Sequence, residues 1–437
     1  MRRDIYKFLE EWKQSPRRKP LVLNGARQVG KTHALKHFGK TSYKNMAYLN
    51  FEKDEKLHKH FEETLDPKQL LATLSIYTEI EIEPHHTLLF FDEIQECPKA
   101  LNSLKYFCEE ASDYHVVAAG SLLGVKIARE KGFPVGKVNF LQLYPLTFFE
   151  FLSALGQEKT RTFLEELRPG DLLAQPIHEK LLETLKLYFF IGGMPEAVAE
   201  YLKSERVSIV REVQHEILTA YEKDFAKHAP VHEVMKITTV WEQVHRQLAK
   251  ENKKFIFAAI RKSARGREYE EALQWLLDAG LIHKSYLVES PKFPLSAYAD
   301  NSSFQIFLMD VGLLGAQSNL SPQIIIDGSL LFTEFKGALT ENYIAQELIA
   351  SRRQALYYWT SAGVAEVDFI MEENHNVYPL EVKAGESQKK KSLLIYNQKY
   401  APSKLIRATT RNLKEDGNIV NCPLYLISRV FHTLSLS

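Results

Sequence analysis

The stretch that decides the fold reads Gly25-Ala26-Arg27-Gln28-Val29-Gly30-Lys31-Thr32, and it fits the pattern G-x-x-x-x-G-K-[ST]. It follows the apolar residues 21–23, which predict a strand, and it leads into residues 33–37, which we predict as the first turns of a helix. Backbone N–H groups of such a loop converge on phosphates, and the positive end of the helix faces the anion. We therefore expect residues 25–32 to bind a nucleoside triphosphate. In that site Lys31 reaches the β- and γ-phosphates, and the Thr32 hydroxyl binds Mg²⁺.

A second signal follows the continuous apolar run of residues 87–91, which is typical of a buried parallel strand. That run ends in Asp92-Glu93. We expect Asp92 to hold Mg²⁺ together with Thr32, and Glu93 to polarise the water that attacks the γ-phosphate. The alternative for this acidic pair is a solvated turn.

A third apolar segment, residues 115–119, ends in Gly120-Ser121. A hydroxyl at the end of a neighbouring strand is placed to contact the γ-phosphate, so Ser121 is a candidate catalytic sensor. The alternative for Ser121 is a helix N-cap.

Composition bounds the class of protein. The chain has 437 residues, of which 45% are hydrophobic and 25% charged, with a net charge of +1. These values are ordinary for a globular protein, and the length predicts roughly three domains. We find no apolar run of the roughly 18 residues that span a bilayer and no export signal, so we expect no membrane association. Cys97, Cys108 and Cys422 have no metal-binding spacing, which favours reduced thiols in a cytoplasmic protein.

The pattern of apolar residues divides the chain. Residues 1–150 alternate short strands, near positions 21, 47, 88 and 116, with helices, as in a parallel α/β sheet. Residues 151–230 read as a helical lid, interrupted by a Gly-Gly-Met-Pro turn at 192–195. Residues 231–325 resemble a winged helix-turn-helix module, with a final helix that ends at Gly280 and leads into a hairpin. The basic segment 261–267 fits either a phosphate-binding turn or a solvated loop.

A second chemical constellation lies near the C-terminus. Glu341 falls on a predicted helix, and Asp368 falls on a predicted strand that a turn at residues 374–376 joins to the next strand. Strand alternation points Glu381 and Lys383 to one face. Carboxylates suit Mg²⁺, and a lysine beside them orients or deprotonates water, which is chemistry for hydrolysing a phosphodiester. The alternative is a surface hairpin with an ion pair of little energetic value.

Taken in order, several motifs carry a family resemblance. Beyond the segment 25–32 they are Phe-Asp-Glu-Ile-Gln, Leu-Tyr-Pro-Leu-Thr-Phe-Phe-Glu-Phe, Gly-Gly-Met-Pro-Glu-Ala, Trp-Leu-Leu-Asp-Ala-Gly-Leu-Ile, Met-Asp-Val-Gly-Leu-Leu, Glu-Val-Asp-Phe and Glu-Val-Lys. The chain resembles a prokaryotic AAA-type ATPase family whose members carry a C-terminal domain of unknown function. The resemblance implies an α/β P-loop parallel-sheet ATPase domain, a helical lid, a winged-helix module and, over residues 326–437, an α/β domain similar to PD-(D/E)xK nucleases. The nuclease-like motif falls on Glu341, Asp368, Glu381 and Lys383, with Asp368 and Glu381 as metal ligands.

Two further residues enter through resemblance. The turn at 192–195 resembles the Gly-x-Pro element of nucleotide-controlled switch ATPases, which makes Pro195 a nucleotide-binding candidate. Relatives carry Gly-Arg where this chain has Gly136-Lys137. Because lysine lacks the guanidinium fork, an arginine finger is not expected at this position. Arg129 is a substitute, and its plainer interpretation is a solvated helix residue.

These observations lead us to expect an ATP-binding and ATP-hydrolysing switch or motor, with ATP and Mg²⁺ as cofactors, that controls a DNA-engaging C-terminal half. Mg²⁺-dependent nuclease activity is a candidate activity of that half. Two alternatives stay open: the C-terminal half is a non-catalytic module that binds DNA or a protein partner, or the chain is a nucleotide-controlled scaffold that acts through self-association.

Overall fold

The computed structural model describes residues 1–120, 136–168, 171, 173–250, 254–257, 266–321, 336–352, 355–361, 365–384 and 391–433. Two compact units make up the chain. The first unit contains residues 2–144 and 278–280, and the second contains residues 145–277 and 281–437 together with Met1. None of the described helices is both long enough and apolar enough to cross a membrane.

The first unit is built on a parallel sheet. Its strands are β1 (Leu21–Asn24), β2 (Asn45–Asn50), β3 (Thr87–Asp92), β4 (His115–Ala119) and β5 (Asn139–Gln142). They lie in the order β2-β3-β4-β1-β5. The helices of this unit are α1 (Ile5–Gln14), α2 (Lys31–Ser42), α3 (Lys56–Glu63), α4 (Pro67–Thr78) and α5 (Pro98–Glu110). Four strands lie where the sequence predicts them. The strand β5 was not predicted, because this edge strand is only partly buried and lacks an apolar run.

Aromatic packing fixes the end of β3, where the acidic pair follows. The ring of Phe91 lies 5.8 Å from that of Phe51 and 5.7 Å from that of Phe61, in edge-to-face contacts between ring centroids. All three side chains are buried in the core that α3, α4 and α5 cover. Since such pairs favour one geometry, the chain that leaves β3 starts from a rigid position.

The second unit combines helices with a mixed sheet. Its helices are α6 (Phe148–Ala154), α7 (Glu158–Glu166), α8 (Gln175–Ile191), α9 (Pro195–Ser204), α10 (Val207–His228), α11 (Val231–Leu248), α12 (Gly266–Asp278), α13 (Val311–Gln317), α14 (Lys336–Arg352), α15 (Lys391–Tyr400) and α16 (Val430–Thr433). Its strands are β6 (Ile282–Val288), β7 (Ala299–Leu308), β8 (Leu356–Thr360), β9 (Glu366–Glu373), β10 (Asn376–Val382), β11 (Leu405–Thr409), β12 (Lys414–Asp416) and β13 (Ile419–Pro423).

The sheet of the second unit runs β12-β13-β11-β10-β9-β8-β6-β7. Strands β6 and β7 form the antiparallel hairpin predicted after Gly280. However, β6 also pairs in parallel with β8, where Ser285 lies opposite Leu356. The hairpin is therefore part of the same sheet as the C-terminal strands, whereas the sequence suggested a separate winged-helix module. The division into domains at 150, 230 and 325 stays a prediction.

Three of the motifs quoted above meet within the second unit: Leu-Tyr-Pro-Leu, Gly-Gly-Met-Pro and Met-Asp-Val-Gly. The Gly193 N–H donates to Oδ2 of Asp310 at 2.6 Å, and the Leu146 N–H donates to the Gly193 carbonyl at 2.6 Å. The Gln214 amide donates to the carbonyl of Ile191 at 2.8 Å. Asp310 is fully buried, and burial raises the pKa of its carboxyl group to about 6, against the hydrogen bonds from Gly193, Leu313 and Gly312 that lower it. The Gly-Gly-Met-Pro turn is thus held from three sides.

Gly192→Ala is expected to destabilise this junction strongly. Gly192 has φ +73°, and a Cβ there would lie 2.2 Å from Oδ1 of Asp310. The matched control is Gly156→Ala, where φ is +74° and no atom of the described residues lies within 4 Å of the added Cβ. We expect about 1–2 kcal/mol from the backbone conformation in Gly156→Ala. Gly192 has ψ −167°, in a region that essentially only glycine adopts, so its backbone cost is larger, and about 3–5 kcal/mol is expected in total for Gly192→Ala because a buried carboxylate must also move. Calorimetric melting checks this difference, and equal Tm values for the two variants would contradict it.

Candidate functional site

The loop between β1 and α2 has the backbone that a phosphate-binding loop needs. Gly25, Gln28 and Gly30 have φ values of +148°, +65° and +95°. A Cβ on Gly25 would lie 2.3 Å from the carbonyl oxygen of Leu143. Glycine is therefore required at Gly25, because the loop passes directly against the chain that leaves β5. Gly30 is the N-cap of α2, so the loop ends at a helix N-terminus, which favours anions.

Lys31 folds back onto this loop. Its Nζ donates to the carbonyls of Gly25, at 2.9 Å, and Ala26, at 2.7 Å. The side chain is buried, and burial lowers the pKa of the ammonium to about 8, while the charges of Glu93 and Asp92 raise it and that of Arg27 lowers it. The loop carbonyls thus hold the ammonium in place before a phosphate arrives.

This pKa predicts that ATP binding takes up a proton in alkaline solution. A bound triphosphate stabilises the charged ammonium, so the pKa of Lys31 rises on binding. With a starting value of about 8, uptake should be about one proton at pH 9 and negligible at pH 6.5. Calorimetric titration in two buffers of different ionisation enthalpy measures the uptake. In Lys31→Arg, whose guanidinium stays charged, the uptake should vanish; equal uptake in both proteins would assign the proton to another group.

Asp92 and Thr32 meet as the sequence predicts. The Thr32 hydroxyl donates to Oδ1 of Asp92 at 3.1 Å, and the Tyr48 hydroxyl donates to Oδ2 at 2.8 Å. Burial raises the pKa of Asp92 and the charge of Glu93 adds to this, whereas the hydrogen bonds from Tyr48 and Thr32 lower it. A hydroxyl and a carboxylate in contact are hard oxygen donors, which fit Mg²⁺. Tyr48 was missed because only the pairing of β2 with β3 brings it to Asp92.

Glu93 lies just beyond β3 in a left-handed backbone conformation, with φ +50°. Its Oε2 accepts a hydrogen bond from the Gln95 amide at 2.7 Å. A Cβ on Gly120 would lie 1.8 Å from Oε1 of the same amide. Gln95 therefore bridges Glu93 and the end of β4, and the absence of a side chain at Gly120 makes room for it. The neighbouring candidate Ser121 lies outside the described residues, as does Arg129.

A residue far from the motif braces the loop. The Arg3 guanidinium is buried, and it donates to the carbonyls of Val29, at 3.1 Å, and Tyr144, at 2.6 Å. No motif contains Arg3, so sequence reasoning offered no signal for it.

Pro195 is the first residue of α9 in the second unit, and its role at the nucleotide stays a prediction. Lys137, which stands where relatives have arginine, forms an ion pair: its Nζ lies 2.7 Å from Oε1 of Glu109.

The C-terminal candidates come together in part. Strands β9 and β10 form the predicted hairpin. Lys383 Nζ lies 3.1 Å from Oε1 of Glu381, so these two side chains share a face as expected. Oδ2 of Asp368 accepts the Val382 N–H at 2.8 Å. Burial raises the pKa of Glu381, with Lys383 and Arg407 lowering it and the charge of Asp368 raising it further.

Arg407 enters this site unpredicted. It is the β11 residue in register with Glu381, and its Nε lies 3.9 Å from Oε2 of Glu381. Both side chains are buried. Within the described part of the chain, the oxygens of Glu341, Asp368 and Glu381 do not all lie within 4.8 Å of one another. The interactions at this site thus join two carboxylates, Asp368 and Glu381, with two cations, Lys383 and Arg407.

Other polar residues on α14 have structural contacts. The Asn342 side chain exchanges two hydrogen bonds with the backbone of Leu308, at 2.7 and 3.0 Å. Oε1 of Gln346 accepts the Val311 N–H at 2.9 Å, and Oε1 of Glu347 accepts the Phe148 N–H at 2.8 Å. This helix thus supports the fold through buried backbone groups. The basic segment 261–267 falls largely outside the described residues, which resume at Gly266.

The geometry of the first unit defines a class of protein. A phosphate-binding loop between β1 and α2, together with Asp92 and Glu93 at the end of β3, is the arrangement of a P-loop ATPase. In agreement, residues 17–152 match the family model of the AAA domain. Residues 17–152 therefore have both the sequence pattern of the AAA domain and the phosphate-binding loop of a P-loop ATPase.

The remainder matches two families without assigned functions. Residues 182–324 match a domain of unknown function (DUF8612), and residues 336–427 match another (DUF4143). No curated protein matches the chain.

Several solved structures are similar to the chain. A Walker-type ATPase, paby2304 of Pyrococcus abyssi, has 14% identity over 73% of this chain and 95% of its own, with a TM-score of 0.45. The Aeropyrum pernix Orc1 protein in complex with DNA has 14% identity over 72% and 90%, with a TM-score of 0.30. Cdc6p from Pyrobaculum aerophilum has 12% identity over 75% and 93%, with a TM-score of 0.25.

Proposed function

We propose that the first unit binds MgATP and hydrolyses it as a nucleotide-controlled switch. The observation that carries this proposal is the contact of the Thr32 hydroxyl with Asp92 at 3.1 Å, next to a loop whose lysine is already held by the loop's own carbonyls. Thr32 and Asp92 would hold Mg²⁺, which neutralises phosphate charge when bound. Lys31 would leave the loop carbonyls for the β- and γ-phosphates. Glu93 would take the proton of the attacking water.

The amide of Gln95 gives this switch a means of control. While Gln95 donates to Oε2 of Glu93 at 2.7 Å, that oxygen is engaged by the amide instead of by the attacking water. Since Gln95 also packs against Gly120 at the end of β4, a shift at that strand end would release Glu93. Glu93 would then become available to the attacking water only when a bound γ-phosphate shifts the end of β4.

For the second unit, we propose that it engages DNA through the cluster of Asp368, Glu381 and Lys383, with Mg²⁺-dependent cleavage as the first candidate activity. The contact between Lys383 and Glu381 at 3.1 Å supports this candidate, because it places an ammonium beside a carboxylate that could share a metal with Asp368. Arg407 favours the second candidate, a binding module without cleavage. Its guanidinium already neutralises part of the charge that would attract a cation.

Plasmid cleavage separates the two candidates. We expect the wild-type protein to cleave supercoiled plasmid with Mg²⁺ or Mn²⁺, and Lys383→Ala to lose cleavage by about 100-fold or more while ATP hydrolysis is unchanged. Lys404→Ala is the matched control, since Lys404 forms a surface pair with Glu415 at 3.0 Å. Each protein is assayed with and without ATP, which shows whether nucleotide gates cleavage.

The other outcomes assign the alternatives. Tight binding of a DNA duplex without product under either metal would favour the binding module. No affinity for DNA, with assembly that changes with nucleotide in sedimentation, would favour the scaffold. Cleavage by Lys383→Ala at the wild-type rate would exclude this cluster as the nuclease site.

A further inference from the structure

A separate group of ligand-type side chains lies between two helices of the second unit. His232 and Glu233 belong to the first turn of α11, and Glu271 lies on α12. Among the described residues, these three form the one group of histidine, cysteine or acidic side chains whose potential ligand atoms all lie within 4.8 Å of one another. The group is far in sequence from the phosphate-binding loop and shares no residue with the Asp368 cluster.

The central carboxylate is buried and incompletely satisfied. Glu233 is 3% exposed, and its Oε1 contacts Nζ of Lys236 at 2.6 Å. Its Oε2 is buried and has no hydrogen-bond partner among the described residues. Leaving a buried carboxyl oxygen in this state costs free energy, because no donor among the described residues replaces its hydration. The site therefore offers a buried acceptor that a bound cation would satisfy.

The charge around this carboxylate favours a second cation. Lys236 donates from Nζ to Oε1 of Glu233, and the charges of Glu271 and Glu268 also act on its ammonium. Three carboxylates thus surround one ammonium. The Lys236 side chain is 38% exposed, so it can move into solvent without crossing the core.

We propose that His232, Glu233 and Glu271 bind a divalent transition-metal ion, with Zn²⁺ as the preferred ion. One imidazole nitrogen and two carboxylate oxygens are ligands that Zn²⁺ accepts, and three protein ligands leave one position for water. The imidazole favours Zn²⁺ over Mg²⁺, which takes oxygen ligands. The ion would join α11 to α12, and Lys236 would compete with it for Glu233.

Metal titration of the full-length protein tests this site. Metal-stripped protein is titrated with Zn²⁺ by calorimetry in excess Mg²⁺, which occupies the oxygen-ligand sites, and Co²⁺ absorption reports the ligand geometry. We expect one Zn²⁺ site, with affinity at least about 10-fold weaker in His232→Ala and in Glu271→Gln. Both substitutions are at exposed positions, so folding should be preserved. The control His375→Ala, also at an exposed histidine of this unit, should bind like the wild type.

Lys236→Met adds a test with the opposite sign. Removing the competing ammonium while keeping the length of the side chain should strengthen Zn²⁺ binding about 10-fold, because the contact of Lys236 Nζ with Glu233 at 2.6 Å is lost. Zn²⁺ should also raise the Tm of the wild type and of Lys236→Met, and raise that of His232→Ala less at the same Zn²⁺ concentration. Absence of Zn²⁺ binding, equal affinity in the wild type and His232→Ala, or weaker binding by Lys236→Met would each overturn the proposal.

Discussion

Lys31→Ala is expected to lower ATP hydrolysis by about 100- to 1,000-fold, the effect of removing one preorganised charge from a site where negative charge is stabilised. Its ammonium is buried and contacts the carbonyls of Gly25 and Ala26, so it is held close to where the phosphates would lie. Because those contacts are to the lysine's own loop, the rest of the first unit should keep its fold. The rate of phosphate release measures the effect.

Lys40→Ala provides the matched control for this experiment. Lys40 lies in the last turn of the same helix and is exposed. The Lys40→Ala variant should hydrolyse ATP at the wild-type rate. The wild type, Lys31→Ala and Lys40→Ala should melt at similar temperatures. Wild-type turnover by Lys31→Ala would show that the nucleotide site lies elsewhere.

Glu93→Gln is expected to separate binding from hydrolysis. Loss of a general base lowers the rate by about 100- to 10,000-fold. Lys31, Thr32 and Asp92 are unchanged in this variant, so ATP should still bind with Mg²⁺. The glutamine is isosteric, and it can still face the Gln95 amide that contacts Oε2 of Glu93. Single-turnover hydrolysis together with equilibrium binding of ATP measures both properties.

Glu96→Gln is the control for Glu93→Gln. Glu96 also accepts a hydrogen bond from the Gln95 amide, at the longer distance of 3.4 Å, and it lies three residues after Glu93. If Glu93 is the base, Glu96→Gln keeps its activity. Equal losses in the two variants would point instead to Gln95 and its surroundings, and loss of ATP binding by Glu93→Gln would contradict the assignment of Glu93 to the chemical step.

What the sequence could predict was local. The phosphate-binding loop is contiguous, and the contact of Thr32 with Asp92 follows from a loop and a strand end that a parallel sheet brings to the same edge. Arg3 and Tyr48 could not be predicted in the same way. Their contacts depend on how α1 packs and on which strand neighbours β3, and short apolar runs carry neither kind of information.

The same limit applies in the second unit. Alternation along β10 predicts that Glu381 and Lys383 share a face, and their contact at 3.1 Å agrees. The neighbour across the sheet is Arg407, and its register with Glu381 depends on a parallel crossover from β10 to β11. The charge balance of the cluster was therefore hidden, because alternation describes one strand and not its neighbours.

The shared sheet of the second unit has a practical consequence for how this protein is dissected. Residues 326–437 produced alone would lack β6, leaving β8 with an open edge along Leu-Tyr-Tyr-Trp-Thr. An aromatic edge of this kind recruits other strands, so such a fragment should aggregate. Fragments that begin before Ile282 keep β6 and β7 beside β8 and are the ones to purify.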